Sequence, residues 1–184
     1  MYKNFFKRFI DIALSFIGIV VLAIPMFIVA AIIKLDSPGP VFFKQKRVGK
    51  DKKYFTIIKF RSMPVTAPHD TPTHQLENTE QLLSKFQRFE RKMSLDELPQ
   101  LFNILIGDMS IIGPRPALWN QDDLIAERDK YGANGVRPGL TGLAQISGRD
   151  ELEIPVKARL DGEYIEKMSF LFDCKCFFGT ITAV

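Results

Sequence analysis

Two acidic side chains stand next to each other at Asp96 and Glu97, in the stretch "KMSLDELPQLFN". Adjacent carboxylates in a basic chain suit either of two jobs. One is helix capping. Ser94 and Glu97 have the S-x-x-E spacing of a capping box, or Asp96 is itself the N-cap and Pro99 falls harmlessly in the first turn. The other is phosphate chemistry, with the carboxylates holding a divalent metal and arginines neutralising the transferring group. The chain contains arginines framed for that purpose. Arg115 sits between Pro114 and Pro116, Arg137 precedes Pro138 and Gly139, and Arg149 closes a loop with Gly142 and Gly148. Arginine's planar fork suits bidentate contact with phosphate, and glycines let backbone approach an anion. Arg91 lies five residues before Asp96, off the apolar stripe of its own segment. Lys59 and Arg61 alternate with Ile58 and Phe60 at strand spacing, so they share a face and could both address a phosphate.

These residues need elements to position them. From Ile12 to Ile33 the chain carries 22 residues without a charge, long enough to span a bilayer as a straight helix. Pro25 sits near its centre and breaks the backbone ladder. Basic residues flank both ends, Lys3, Lys7 and Arg8 before, Lys34, Lys44, Lys46 and Arg47 after. The positive-inside rule sends both flanks to one side. A helix that enters, bends at Pro25 and leaves on the same face satisfies both features, and a kinked transmembrane helix is the alternative. The run is too long for a signal peptide. After the turn "DSPGPVFF", Val41 to Val48 and Tyr54 to Phe60 read as a hairpin joined by "GKDK". Eight Lys or Arg and one acid fall between Lys44 and Arg61, which suits an edge guarded by lysines or contact with anionic headgroups. A polar loop with His69 and His74 follows. Next comes "LLSKFQRFERKM", with Leu82, Phe86, Phe89 and Met93 on one helical face. "LPQLFNILIG" reads as a buried helix ending at Gly107, and "PVKARLDGEYIEKM" as an amphipathic helix.

The 184 residues suggest a single folded unit with a sizeable core. Net charge is +4, an excess that suits nucleic acid, a phosphorylated substrate or an anionic membrane face. The two cysteines, Cys174 and Cys176, have neither zinc-knuckle nor redox spacing, as in reduced proteins facing the cytoplasm. No Walker A loop, G-x-G-x-x-G or internal repeat is present.

In order along the chain, the proline-broken apolar segment, "KFRSM", "SLDELPQLFN", "GDMSIIGPRP" and "VRPGLTGLAQISGR" resemble the bacterial sugar transferase family. These are the monotopic phosphoglycosyl transferases, which start glycoconjugate assembly on polyprenol phosphate. The resemblance covers nearly the whole chain and is to the smallest, catalytic-core form. It implies an α/β, mostly helical fold, with residues 1–36 as a re-entrant membrane helix and 37–184 as a cytoplasmic transferase domain carrying the basic hairpin and interface-lying amphipathic helices. It implies a double displacement. Asp96 attacks the β-phosphate of a UDP-sugar, UMP leaves, and polyprenol phosphate takes the phosphosugar. Glu97 holds Mg2+ with Asp96 or deprotonates the acceptor. Lys59, Arg61, Arg91, Arg115, Arg137 and Arg149 are the expected substrate contacts. Asp161 and Tyr164 match a D-x-x-Y pattern of the family, and a structural ion pair is the alternative for them. Similarity to members that begin N-linked protein glycosylation implies UDP-N,N′-diacetylbacillosamine as donor. The implied place is the cytoplasmic face of the bacterial inner membrane, with both termini cytoplasmic, anionic lipids as partners and no nucleic acid. One departure is Ile24 before the proline, where the family often has serine. Two other readings remain, a polyprenyl diphosphate phosphohydrolase and a non-enzymatic basic membrane-surface module.

Overall fold

The computed structural model describes residues 2–68, 83–148 and 152–183. His69, His74, Leu82 and Arg149 therefore lie outside the described residues. A short π turn, Tyr2–Phe6, leads into α1 (Lys7–Val21), and α2 (Ala23–Asp36) follows at a bend of 61°. The bend falls at Leu22, three residues before Pro25. Pro25 has no N–H to give the carbonyl of Val21, and its ring crowds that same carbonyl. Among the described residues no single helix is long and apolar enough to cross a membrane, but this bent pair carries the length and composition together. α2 buries Met26, Val29 and Ile33, one helical stripe, against Phe60, Phe86, Leu95 and Leu98. Fully burying such a side chain contributes roughly 1.5–3 kcal/mol. Its other face leaves Ile24, Phe27 and Leu35 exposed. α1 turns Asp11 inward, where its carboxylate accepts from Ser110 Oγ and the Ile111 N–H, each at 3.0 Å.

The hairpin forms as its alternation requires. β1 (Phe42–Val48) pairs antiparallel with β2 (Tyr54–Phe60), Phe43 opposite Lys59. α3 (Lys85–Lys92) begins with a real capping box, Ser84 with Gln87. It buries Gln87 and Glu90, with Leu83 buried just before its cap, whereas Phe89 and, at its C-cap, Met93 of the expected apolar face are exposed. A single 3-10 turn, Leu95–Glu97, leads to α4 (Gln100–Ile106), which Gly107 ends at φ 106°, a left-handed cap open to glycine.

A second sheet had no counterpart in the sequence reading. β3 (Ser110–Ile112) pairs parallel with β4 (Gly139–Thr141). Gly113, Gly139 and Gly142 meet there. A Cβ on Gly139 would stand 2.1 Å from the Gly113 nitrogen, and one on Gly142 would stand 2.1 Å from the Gly113 carbonyl oxygen. Gly139 and Gly142 serve backbone-to-backbone contact with Gly113, which corrects their reading as anion-approach residues. Among the described residues, α5 (Asp122–Asp129), α6 (Leu143–Ser147), α7 (Ile154–Lys167) and α8 (Phe170–Ala183) complete a mostly helical α/β fold with two small sheets. α7 is amphipathic as expected, burying Ala158, Asp161, Gly162 and Tyr164.

Candidate active site

The acid pair sits on the 3-10 turn, and neither acid caps a helix. Ser94 takes φ 53°, an uncommon left-handed conformation for a non-glycine residue, and its side chain makes no cap bond. The N-cap of α4 is Pro99, again without a side-chain cap. The S-x-x-E spacing at Ser94 is thus coincidental, and both carboxylates are left available for other partners.

Those partners come from three elements. Lys59, on β2, places Nζ 2.6 Å from Glu97 Oε1. Arg115, between its two prolines after β3, donates from Nη2 to the same oxygen at 3.2 Å. Ser62, just past β2, approaches Asp96 Oδ2 at 3.5 Å. Asn103 fixes β2 against α4. Its Oδ1 accepts from the Ile58 N–H at 3.0 Å and its Nδ2 donates to the Thr56 carbonyl at 2.8 Å. Neither Ser62 nor Asn103 had an assigned role from sequence, although both fall inside quoted motifs, three residues after Lys59 and seven after Asp96.

The two acids are electrostatically unlike. Burial pushes the Glu97 carboxyl up, but the charges and hydrogen bonds of Lys59 and Arg115 override it and hold the group at about 2. Burial also pushes Asp96 up, and the Glu97 charge adds to that. Lys59, Arg91 and Arg115 oppose it without cancelling it. Asp96 is therefore raised above the ordinary aspartate range. Adjacent carboxylates with oppositely shifted affinities can divide labour.

Asp96, Glu97, Lys59, Arg91 and Arg115 all line one cavity of about 1170 Å3. Other expected contacts go elsewhere. Arg61 also lines the cavity, but it is buried and its guanidinium is engaged by backbone, donating to the Pro38 carbonyl at 2.6 Å and to the Ser37 carbonyl at 2.8 Å. It fastens the turn after α2, so the shared-face argument holds for strand parity but not for a shared phosphate. Arg137 donates to the Gly107 carbonyl at 2.8 Å, while Arg8 takes the carbonyls of Ile104 and Leu105, so both cations serve the C-terminus of α4. Asp161 forms a buried ion pair with Arg128 Nη2 at 2.6 Å. The Tyr164 hydroxyl donates to Asp173 Oδ1 at 2.7 Å. Neither residue lines the cavity, and the structural ion pair describes Asp161 alone, Tyr164 being held by hydrogen bonds.

Among the described residues no group of three or more metal-type side chains is assembled. The donor set at the site is two hard carboxylates, Asp96 without an ion-pair partner among the described residues and Glu97 with both cations on Oε1. That set fits Mg2+, which is held by one or two carboxylates together with substrate phosphates and water, and does not fit a closed zinc site.

The family model described as bacterial sugar transferase matches residues 2–184. An uncharacterized sugar transferase, EpsL, of Bacillus subtilis is 38% identical over 97% of this chain and 86% of its own length. The undecaprenyl-phosphate glucose phosphotransferase of Komagataeibacter xylinus is 40% identical over 95% of this chain and 35% of its own. The UDP-glucose:undecaprenyl-phosphate glucose-1-phosphate transferase of Escherichia coli is 38% identical over 95% and 39%. The chain spans well under half of these last two relatives. It belongs to the bacterial sugar transferase family.

Proposed function

We propose that this chain transfers a sugar 1-phosphate from a UDP-sugar to polyprenol phosphate, giving polyprenyl diphosphosugar and UMP. The observation that carries the reading is the division of the acid pair. Asp96 is raised and lacks an ion-pair partner among the described residues, while Glu97 is clamped by Lys59 and Arg115, all in one cavity. Relatives named for UDP-glucose and undecaprenyl phosphate support the substrate classes.

In the first half-reaction, one Asp96 oxygen attacks the β-phosphorus, forming an acyl phosphate bond to the phosphosugar. The bond to the UMP oxygen breaks and its electron pair leaves with UMP. A carboxylate whose proton affinity is raised is the better nucleophile once ionised. Arg91 and Arg115 offset the charge gathering on the phosphoryl oxygens, and Lys59 keeps Glu97 in place beside them. In the second half, the acceptor phosphate attacks the same phosphorus and Asp96 leaves. The Asp96 and Glu97 carboxylates would hold Mg2+, which supplies neutralisation of the diphosphate when bound.

Residues 1–36 act as a re-entrant membrane helix, supported by the 61° break and the exposed apolar faces of α1 and α2. Residues 37–184 then lie on the cytoplasmic face of the bacterial inner membrane. Both termini are cytoplasmic and anionic headgroups meet the basic hairpin. N-linked protein glycosylation with UDP-N,N′-diacetylbacillosamine is the pathway and donor of this reading, and a panel of UDP-sugars scored for UMP release tests the donor.

Intact-protein mass spectrometry after exposure to UDP-sugar without acceptor tests the mechanism. The wild type gains one phosphosugar, and Asp96→Asn gains none and loses turnover. An unmodified wild type that turns over normally refutes the covalent route.

A further inference from the structure

The cavity that holds the acid pair is larger than the acid pair needs, and one part of it is not polar. Its lining continues past Leu101 and Ile111 to Leu14, Ile17 and Val21 of α1, and to Phe177 and Ile181 of α8. α1 and α8 both pack on the β3–β4 ribbon. Ile111 and Leu140 of that ribbon also line the cavity, so they form a floor between the two helices. The helix walls are not core. Ile17 is 55% exposed and Ile181 is 65% exposed, although both line the same cavity as Asp96. The cavity therefore opens on an apolar rim at the outer surface.

Most polar side chains along this wall bond within it, the Gln145 amide nitrogen to the Leu140 carbonyl at 2.9 Å, although the Gln145 amide oxygen has no partner among the described residues. Thr141 and Thr180 share a hydroxyl–hydroxyl bond of 2.7 Å, and Thr180 Oγ1 also donates to the Cys176 carbonyl at 2.9 Å. They offer little to a nucleotide. A cation cluster at one end of a cavity and an exposed apolar trough at the other match a ligand with an anionic head and a hydrocarbon tail. A UDP-sugar, polar along its whole length, gains nothing from the trough.

We propose that the trough between α1 and α8, floored by Ile111 and Leu140, binds the isoprenoid tail of the acceptor. The acceptor enters sideways from the bilayer, and its phosphate reaches the cationic end of the same cavity. This rests on the transferase reading above and adds the path of the lipid. A trough of this kind rewards chain length, because each buried methylene adds to binding, whereas the phosphate contacts are common to all prenyl phosphates.

The test uses the full chain in detergent or nanodiscs, with Ile17→Trp and Ile181→Trp. Both positions are exposed, and the larger ring fills the trough. kcat/KM is measured for undecaprenyl phosphate and for geranyl phosphate with the same donor. The ratio of long-chain to short-chain kcat/KM falls about tenfold in each variant, the loss expected when roughly two methylenes are no longer buried. An equal loss on both acceptors, or no loss on either, overturns the trough. A wild-type crosslink with a tail-labelled photoactivatable prenyl phosphate gives a second reading free of folding effects. Label on peptides containing Ile17 or Phe177 supports the path, and label confined to α2 or the hairpin overturns it. Absence of UMP release from every UDP-sugar, with or without acceptor, overturns the transferase reading and this inference with it. UMP release with an unchanged chain-length ratio overturns the trough alone.

Discussion

Glu90 makes the sharpest thermodynamic prediction. It lies on α3, fully buried, and neither carboxylate oxygen meets a hydrogen-bond donor among the described residues. Burial, with the charges of Asp96 and Asp36 behind it, pushes the carboxyl from the ordinary 4.5 up to about 8, while Arg61 and Arg91 pull the other way. The folded chain thus holds a proton that the unfolded chain releases. A raised acid contributes stability that is fully present below the unfolded value and is lost as pH climbs through the folded one. From the 4.5 and about 8 of the two states, and about 1.36 kcal/mol per unit, the loss is on the order of 3–5 kcal/mol between about pH 4.5 and pH 9. Gln reproduces the shape of the protonated acid and cannot ionise. Glu90→Gln should therefore match the wild type near pH 4.5 and exceed it by that amount near pH 9. Chemical unfolding in detergent, followed by the fluorescence of Trp119, the chain's one tryptophan, measures both curves. Parallel curves refute the reasoning. So does a wild type that gains on the variant as pH rises, which is the sign of a carboxylate held by a cation.

Arg115→Lys should lower kcat about tenfold to a hundredfold, since one ammonium cannot reproduce a fork shared between Glu97 and a phosphoryl group. Near-normal steady-state turnover would leave Arg115 a purely structural partner of Glu97. EDTA should abolish UMP release, and Mg2+ should restore it without Zn2+, because the donor set is two carboxylates. Restoration by Zn2+ alone would contradict that assignment. Pro25→Ala returns an N–H to the Val21 carbonyl and removes a clash worth about 3 kcal/mol, so the 61° bend should relax towards a continuous span. A Lys3→Cys reporter in spheroplasts should be inaccessible from the periplasm in the otherwise unchanged chain and accessible with Pro25→Ala. Periplasmic labelling without Pro25→Ala would mean an ordinary transmembrane helix.

The hairpin, the stop of α4 at Gly107 and the amphipathic α7 were all legible, because each is written in a local period or a local cap. The β3–β4 pairing was not. Strands of three residues carry no readable alternation, and their partner lies outside any sequence window. The same gap explains the misread glycines. A glycine needed because another backbone passes close by looks, in one dimension, like a glycine needed for an anion. Capping was misplaced for a different reason. The chain holds two spacings of the same kind, Ser84 with Gln87 and Ser94 with Glu97, and the first is the real box. At the second, Ser94 turns left-handed and its side chain never faces the N–H groups it would cap.

The site follows the same division between what is local and what is not. Asp96, Glu97 and Arg115 were legible because proline frames and adjacency constrain them before folding. Arg61 and Arg137 have the same side chain as Arg115, and sequence gives each a charge without a direction. What separates them is which carbonyls lie within reach. The turn after α2 presents those of Ser37 and Pro38 to Arg61, and the end of α4 presents that of Gly107 to Arg137. Helix ends and the turns after them expose carbonyls that need partners from outside the helix's own ladder, and these two arginines supply some of them. Among the described residues Arg91 and Lys59 donate to no such carbonyl, and both line the cavity. Lys59 is in turn held by its strand. Asn103 bonds the backbone of Thr56 and Ile58 and so sets where Lys59 stands relative to Glu97. Lys59, Arg91 and Arg115 are thereby left lining the cavity beside Asp96 and Glu97, the arrangement on which the proposed phosphate chemistry rests.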